Sequence, residues 1–335
     1  MLLLLSFILV ISQSSVFALS ADEELTAKLV EGAKKEGKVV FYTAMSVSEA
    51  VPLLKKFEQK YPFIKTELFS ERGEKQVIRI VAEARTGRTV ADVVHLGGFQ
   101  VHLVKKQGGL MKYVSPESRF FPVGFKDSDG YWTDTYINAN VLAYNTKLIS
   151  PKDAPRNFDD LLDPKWKDKL GMDYQEYEWF SVLLKVKGEE KGLEFMRKLS
   201  KQNISFRNNR TLLATLVTAG EIPVAATGYA DIAERFKRQG APVEWVPVEP
   251  VVVKLHPLAI TAQAPHPNSA KLLVDYLLSK EGQIVLKNLG KTPSRSDIEV
   301  DSSKLKGIKL FPSDPMEAEN YNNVVKLYKS VFGIH

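Results

Sequence analysis

The sequence predicts an α/β protein of two domains, the second inserted into the first, with the chain crossing between them twice. Three observations lead there. Strand and helix signals alternate from Leu25 to about Leu289, the pattern of strand–loop–helix units whose strand carboxyl ends frame a crevice. The length, 335 residues, exceeds what one hydrophobic core usually holds. A second set of α/β signals interrupts the first, entered through residues 136–145 and left through residues 251–261.

The chain opens on an apolar run over residues 2–10, followed by small polar residues. Val16 and Ala18 put small side chains at the −3 and −1 positions of a signal-peptidase cut, and Asp22, Glu23 and Glu24 follow. Such a run is too short for a membrane anchor. The expectation is a leader over residues 1–18, cut near Ala18, and an exported, periplasmic product. No Lys or Arg precedes the apolar run, so the true start is left open. Cysteine is absent, which excludes disulfides and a lipidated Cys. No later segment approaches the roughly 20 apolar residues of a membrane helix.

The first lobe begins with a buried strand at Lys38 to Tyr42 after Gly37. Leu53, Leu54, Phe57 and Tyr61 then recur at helical spacing up to Pro62. Strands follow at 64–69 and 90–96, with a helix at 76–85 between them. The inserted unit alternates in the same way: a strand end at 171–173, helices at 178–187 and 189–201, and a strand at 204–208. A helix at 211–219, a strand at 223–226 and a helix at 230–239 complete it. Ala270, Leu273, Val274, Leu277 and Leu278 form an apolar helical stripe returning to the first lobe. The expected division is residues 19–139 with 253–335 for lobe 1 and 140–252 for lobe 2. The C-terminal tail is left free to pack partly on lobe 2.

Three collinear stretches carry a family resemblance: Val141-Leu142-Ala143-Tyr144-Asn145-Thr146-Lys147, residues 158–170 around Asp163-Pro164-Lys165-Trp166, and Pro265-His266-Pro267-Asn268-Ser269-Ala270-Lys271. Together they resemble type II periplasmic binding proteins of the ferric-ion-binding branch. That resemblance implies two lobes, each a mixed sheet flanked by helices, which close on a ligand and dock on the permease of an ABC importer. In ferric-binding members iron is held by a His after the first strand, a Glu after an Ala-Asp-Val strand, and two adjacent Tyr. This chain departs at each place. Thr43, Ala44, Met45 and Ser46 follow the first strand, and His95, Leu96, Gly97 and Gly98 follow Ala91-Asp92-Val93-Val94. Gly228-Tyr229-Ala230-Asp231 keeps one Tyr. No metal and no cofactor are therefore expected, the alternative being a rearranged ferric site using Tyr174, Tyr177, Tyr229 and His95.

Candidate ligand contacts come from loops at strand ends. In the first lobe these are Thr43 and Ser46, the amides of Gly97 and Gly98, and further out Arg72 and Gln100. In the second they are Tyr174, Arg210, Thr211 and Tyr229, with Gln175, Tyr177 and Trp179 as outer candidates. Tyr177 and Trp179 equally suit the core of the helix they begin, and Arg72 suits an exposed ion pair. Arg210 opens a helix beside Thr211, which suits a carboxylate, phosphate or phosphonate. The formal charge of +6, from 46 basic and 40 acidic residues, is interspersed rather than blocked. It is compatible with an anionic ligand and leaves no nucleic-acid footprint. No Gly-x-Ser-x-Gly, His-Glu-x-x-His or P-loop occurs, so the expectation is a monomeric transport-binding protein and not an enzyme. A sensory protein presenting its ligand to a membrane receptor would read identically.

Overall fold

The protein is described from a computed structural model covering residues 20–71, 73–299 and 303–334. Helix α1 (Ala21–Glu36) opens on a capping box between Ser20 and Glu23 and stops at Gly37, whose φ of 71° suits a residue without Cβ. Strand β1 (Lys38–Thr43), helix α2 (Val47–Lys60), strand β2 (Lys65–Ser70), helix α3 (Glu74–Thr86) and strand β3 (Val93–His95) then alternate. Helix α4 (Gly98–Lys106) and the short strand β4 (Leu110–Met111) lead to the long strand β5 (Trp132–Asn145).

The second half of the sheet holds β6 (Leu170–Asp173), α5 (Tyr177–Lys187), α6 (Glu189–Ser200), β7 (Ser205–Arg207), α7 (Arg210–Ala219), β8 (Val224–Tyr229), α8 (Ala230–Arg238) and β9 (Val243–Val246). Strand β10 (Val251–Thr261) returns to the first half. It is followed by α9 (Pro267–Leu278), α10 (Lys280–Asn288), β11 (Thr292–Pro293), β12 (Leu310–Pro312) and α11 (Tyr321–Phe332).

The α/β class is borne out, and the sheet is mixed. Its order is β2-β1-β3-β10-β5-β8-β6-β7. Strand β1 lies parallel to β2 and β3, as strand–loop–helix repeats require, and β6 lies parallel to β7 and β8. The two long strands β5 and β10 enter antiparallel. Every residue of β5 is buried, because it changes partners along its length. Trp132 to Ala139 pair with β10, and from Asn140 onward the strand pairs with β8 and β9.

Apolar packing follows the sequence periodicity. Leu53, Leu54 and Phe57 of α2 and the stripe of α9 cover one face of the first half, with Phe41 fully buried among them. Trp179, Phe180, Leu183 and Leu199 fill the second half. Each such side chain contributes about 1.5–3 kcal/mol by leaving water. Helix α11 joins this second core through Val324 and Tyr328, and the Tyr328 hydroxyl donates to the Asp173 carbonyl at 3.2 Å. The tail thus packs on α5 and α6.

Candidate functional site

The carboxyl ends of the parallel strands deliver four helix N-termini to one open cleft of about 460 Å³. Gly73 precedes α3, Gly97 precedes α4, Arg210 begins α7, and Tyr229 precedes α8; all four line the space. The α7 terminus is already satisfied, since Asn209 Oδ1 accepts from the amides of Thr211 and Leu212 at 2.8 and 3.0 Å. Gly73 and Gly97 offer no side-chain cap; the first turn of α3 carries Glu74, whereas that of α4 has no acidic residue and keeps its positive potential toward the cleft.

Charged side chains bind one another across the lining. Lys291 lies 2.8 Å from Glu49 and 5.0 Å from the Tyr136 ring centroid. Burial raises the Glu49 carboxyl, but the Lys291 ammonium and the Ser46 donors outweigh it and hold the pKa down to about 2. Lys254 lies 3.1 Å from Glu178. The Asn138 amide donates to Asp231 at 3.2 Å, and burial raises the Asp231 pKa against the pull of Lys291. Arg235 also lines the cleft; it is exposed, and no carboxylate among the described residues pairs with it.

Arg210 has the densest surroundings. Its Nη2 is 2.9 Å from Glu176 Oε1, its Nη1 is 3.6 Å from Asp173 Oδ2, and its Nε donates to Glu176 Oε1 at 3.1 Å. The guanidinium stacks on Tyr229, 4.2 Å from the ring centroid. Burial raises the Glu176 carboxyl even beside this cation. It also raises the Tyr229 phenol well above its usual range, with Glu176, Glu178 and Asp173 adding to the effect.

Of the residues anticipated from sequence, Gly97, Gln100, Gln175, Arg210, Thr211 and Tyr229 meet at this cleft. The others lie elsewhere for identifiable reasons. Thr43 is fully buried; its hydroxyl bonds His95 Nδ1 at 3.0 Å and accepts from the Met45 amide at 3.0 Å. Ser46 caps α2 and donates to Glu49 at 2.8 Å. Gly98 is buried beneath Pro315, Leu255 and Ser313 and does not line the cleft. Tyr174 accepts from the Gln175 amide at 3.1 Å. Tyr177 packs edge-on against Tyr321 and Tyr328, and Trp179 against Phe158, both inside the second core. Arg72 lies outside the described residues. Among Tyr174, Tyr177, Tyr229 and His95, only Tyr229 lines the cleft.

Sequence reasoning missed Glu49, Asn138, Asp231, Arg235, Lys254, His256 and Lys291, all lining residues. Lys254 and His256 interrupt an otherwise buried strand, a usable signal. Lys291 gives none, because only the fold brings it to Glu49.

The family model for bacterial extracellular solute-binding proteins matches residues 91–313. Over 184 residues the chain is 27% identical to a putative 2-aminoethylphosphonate-binding periplasmic protein of Salmonella typhimurium, a match covering 51% of this chain and 54% of that one. Iron-bound HitA from Pseudomonas aeruginosa superposes with a TM-score of 0.75 at 22% identity, covering 88% of this chain and 99% of that one. The periplasmic binding protein AfuA of Actinobacillus pleuropneumoniae, with exogenous fructose 6-phosphate bound, superposes with a TM-score of 0.74 at 25% identity, covering 90% and 100%.

Proposed function

The chain belongs to the bacterial extracellular solute-binding proteins, the non-enzymatic ligand-capturing components of ABC importers, and from that premise we propose that its cleft takes a small organic phosphate or phosphonate. The observation that carries this is the uncapped N-terminus at Gly97, with no acidic residue in its first turn, facing a lining that includes the exposed Arg235 and the carboxylate-paired Lys254 and Lys291. Backbone amides and a helix dipole stabilise an anion. The relatives named for 2-aminoethylphosphonate and fructose 6-phosphate support the same ligand class. Delivery to a permease follows from the family; those relatives are periplasmic, and no described helix is long and apolar enough to cross a membrane.

Bare ferric ion is the less supported ligand. Fe(III) favours phenolate and carboxylate oxygens, whereas burial raises the Tyr229 phenol well above its usual range and so disfavours the phenolate. Among the described residues no group of three or more His, Cys, Asp or Glu is arranged to hold a metal. Residues 19–139 with 253–335 and residues 140–252 would move as two lobes of a monomer. The change of strand partner between Ala139 and Asn140 supports a hinge there.

The test is calorimetry of the purified protein with fructose 6-phosphate, 2-aminoethylphosphonate, inorganic phosphate, sulfate and ferric chloride. At least one organic phosphate or phosphonate should bind more tightly than sulfate and ferric ion. Tight ferric binding with an intense visible charge-transfer band, and none by the phosphorus compounds, would overturn the proposal.

A further inference from the structure

Beside the cleft lies a chamber of about 10 Å³, room for roughly one non-hydrogen atom with its protons. It shares Gln175, Arg210, Tyr229 and Lys254 with the cleft lining, so the two spaces adjoin. Its remaining wall includes Asn140, at the point where β5 changes partner, and Glu178 and Trp179 from the first turn of α5. Asn140 is 6% exposed and Trp179 1%. Asn140 Oδ1, Glu178 Oε2 and Trp179 Nε1 are buried and have no hydrogen-bond partner among the described residues. The second oxygen of Glu178 is the one held by Lys254 at 3.1 Å.

Three buried, unpartnered polar atoms on residues that line one chamber are costly unless something enters to bond them, at about 1–3 kcal/mol each. Two of them accept and one donates. An alkyl group would leave all three unmet. An ammonium would bond the two acceptors, but it cannot accept from the indole, and the carboxylates Glu176 and Glu178 beside it are already paired with Arg210 and Lys254. A hydroxyl is neutral, donates to Glu178 or Asn140, and accepts from Trp179.

We propose that this chamber takes a hydroxyl oxygen of the bound solute, so that the ligand is a hydroxylated anion with its charged head in the cleft. This rests on the anion-binding function proposed above. The same chemistry could be supplied by a water molecule, and a matched ligand series separates the two sources. Calorimetry would compare propylphosphonate, 3-hydroxypropylphosphonate and 3-aminopropylphosphonate, with their two- and four-carbon homologues. At one chain length the hydroxyl compound should bind at least about tenfold more tightly than its alkyl counterpart. That ratio should fall below about threefold in both Asn140→Leu and Glu178→Gln. Equal binding of hydroxyl and alkyl compounds would mean that water fills the chamber and would overturn the inference, leaving the anion site standing. Tightest binding by the amino compound, or a hydroxyl advantage that survives both substitutions, would overturn it as well. Failure of every phosphonate and phosphate to bind would instead remove the anion site, and this inference with it.

Discussion

The Arg210 guanidinium lies over the Tyr229 ring, 4.2 Å from its centroid, and Glu176 closes on its edge at 2.9 Å. Read from the sequence, Arg210 is a free anion clamp at a helix start. In the fold its charge is answered by two buried carboxylates, and its stacking fixes the wall of the cleft. A ligand meets a pre-organised guanidinium whose neutralisation is largely complete.

Arg210→Ala should therefore cost stability as well as affinity. Removing the cation strands Glu176, 2% exposed, and Asp173, 4% exposed. Denaturant titration should show a loss of about 3–5 kcal/mol, the range for breaking a buried pair from one side. Adding Glu176→Gln should recover more than half, because it removes the stranded charge. A single-mutant cost below about 1 kcal/mol would show that the pair does not hold the wall.

Acid sensitivity should trace in part to His95. Its ring is enclosed by Thr43 at 3.0 Å and Thr135 at 3.1 Å; burial, then the charge of Lys291, lowers its pKa from 6.5 to about 3, against a smaller opposing pull from Glu49. A folded-state pKa below the unfolded value means that protons favour the unfolded chain. Its contribution is complete above pH 6.5 and is lost as pH falls toward 3. Asp134, raised by burial to about 8, acts in the opposite direction and declines in contribution as pH rises from 3.8. The comparison is therefore wild type against His95→Gln. The stability difference between them should shrink by about 2 kcal/mol from pH 7 to pH 5. A difference independent of pH would show that His95 titrates normally.

Arg235→Ala should weaken phosphonate binding by about three- to tenfold at low ionic strength, with less effect near 0.5 M salt. The side chain is exposed, so its field is screened beyond several ångströms. Calorimetry at two salt concentrations measures this. An effect undiminished by salt would mean direct, desolvated contact with the ligand.

Small-angle scattering with saturating ligand should show a smaller radius of gyration than without it. Strands β5 and β10 are the long strands shared between the halves of the sheet, and rotation near Asn140 would close the cleft. Unchanged dimensions at saturation would exclude hinge closure.

The elements themselves were legible because the signals that define them are local. An apolar run made β1, a helical stripe of Leu53, Leu54 and Phe57 made α2, and Gly37 and Gly220 end α1 and α7 in left-handed conformations. The strand expected over residues 90–96 shortened to Val93–His95, since only those residues align with β1. About half of the candidate contacts also reached the cleft, because loops at the carboxyl ends of parallel strands open toward it.

Local patterning thus carried the α/β alternation, the place of the crevice at the strand ends, and the family motifs. Tertiary structure alone decided which polar groups remain available there. Thr43 gave its hydroxyl to His95, Ser46 gave its own to Glu49, and Asn209 took the amides of α7. Lys291 reached Glu49 from the far end of the chain, and Arg210 met Glu176 across two strands. Range separates the two. Helix and strand formation depends on neighbours a few residues away, whereas a buried polar group must find its partner wherever the folded chain puts one.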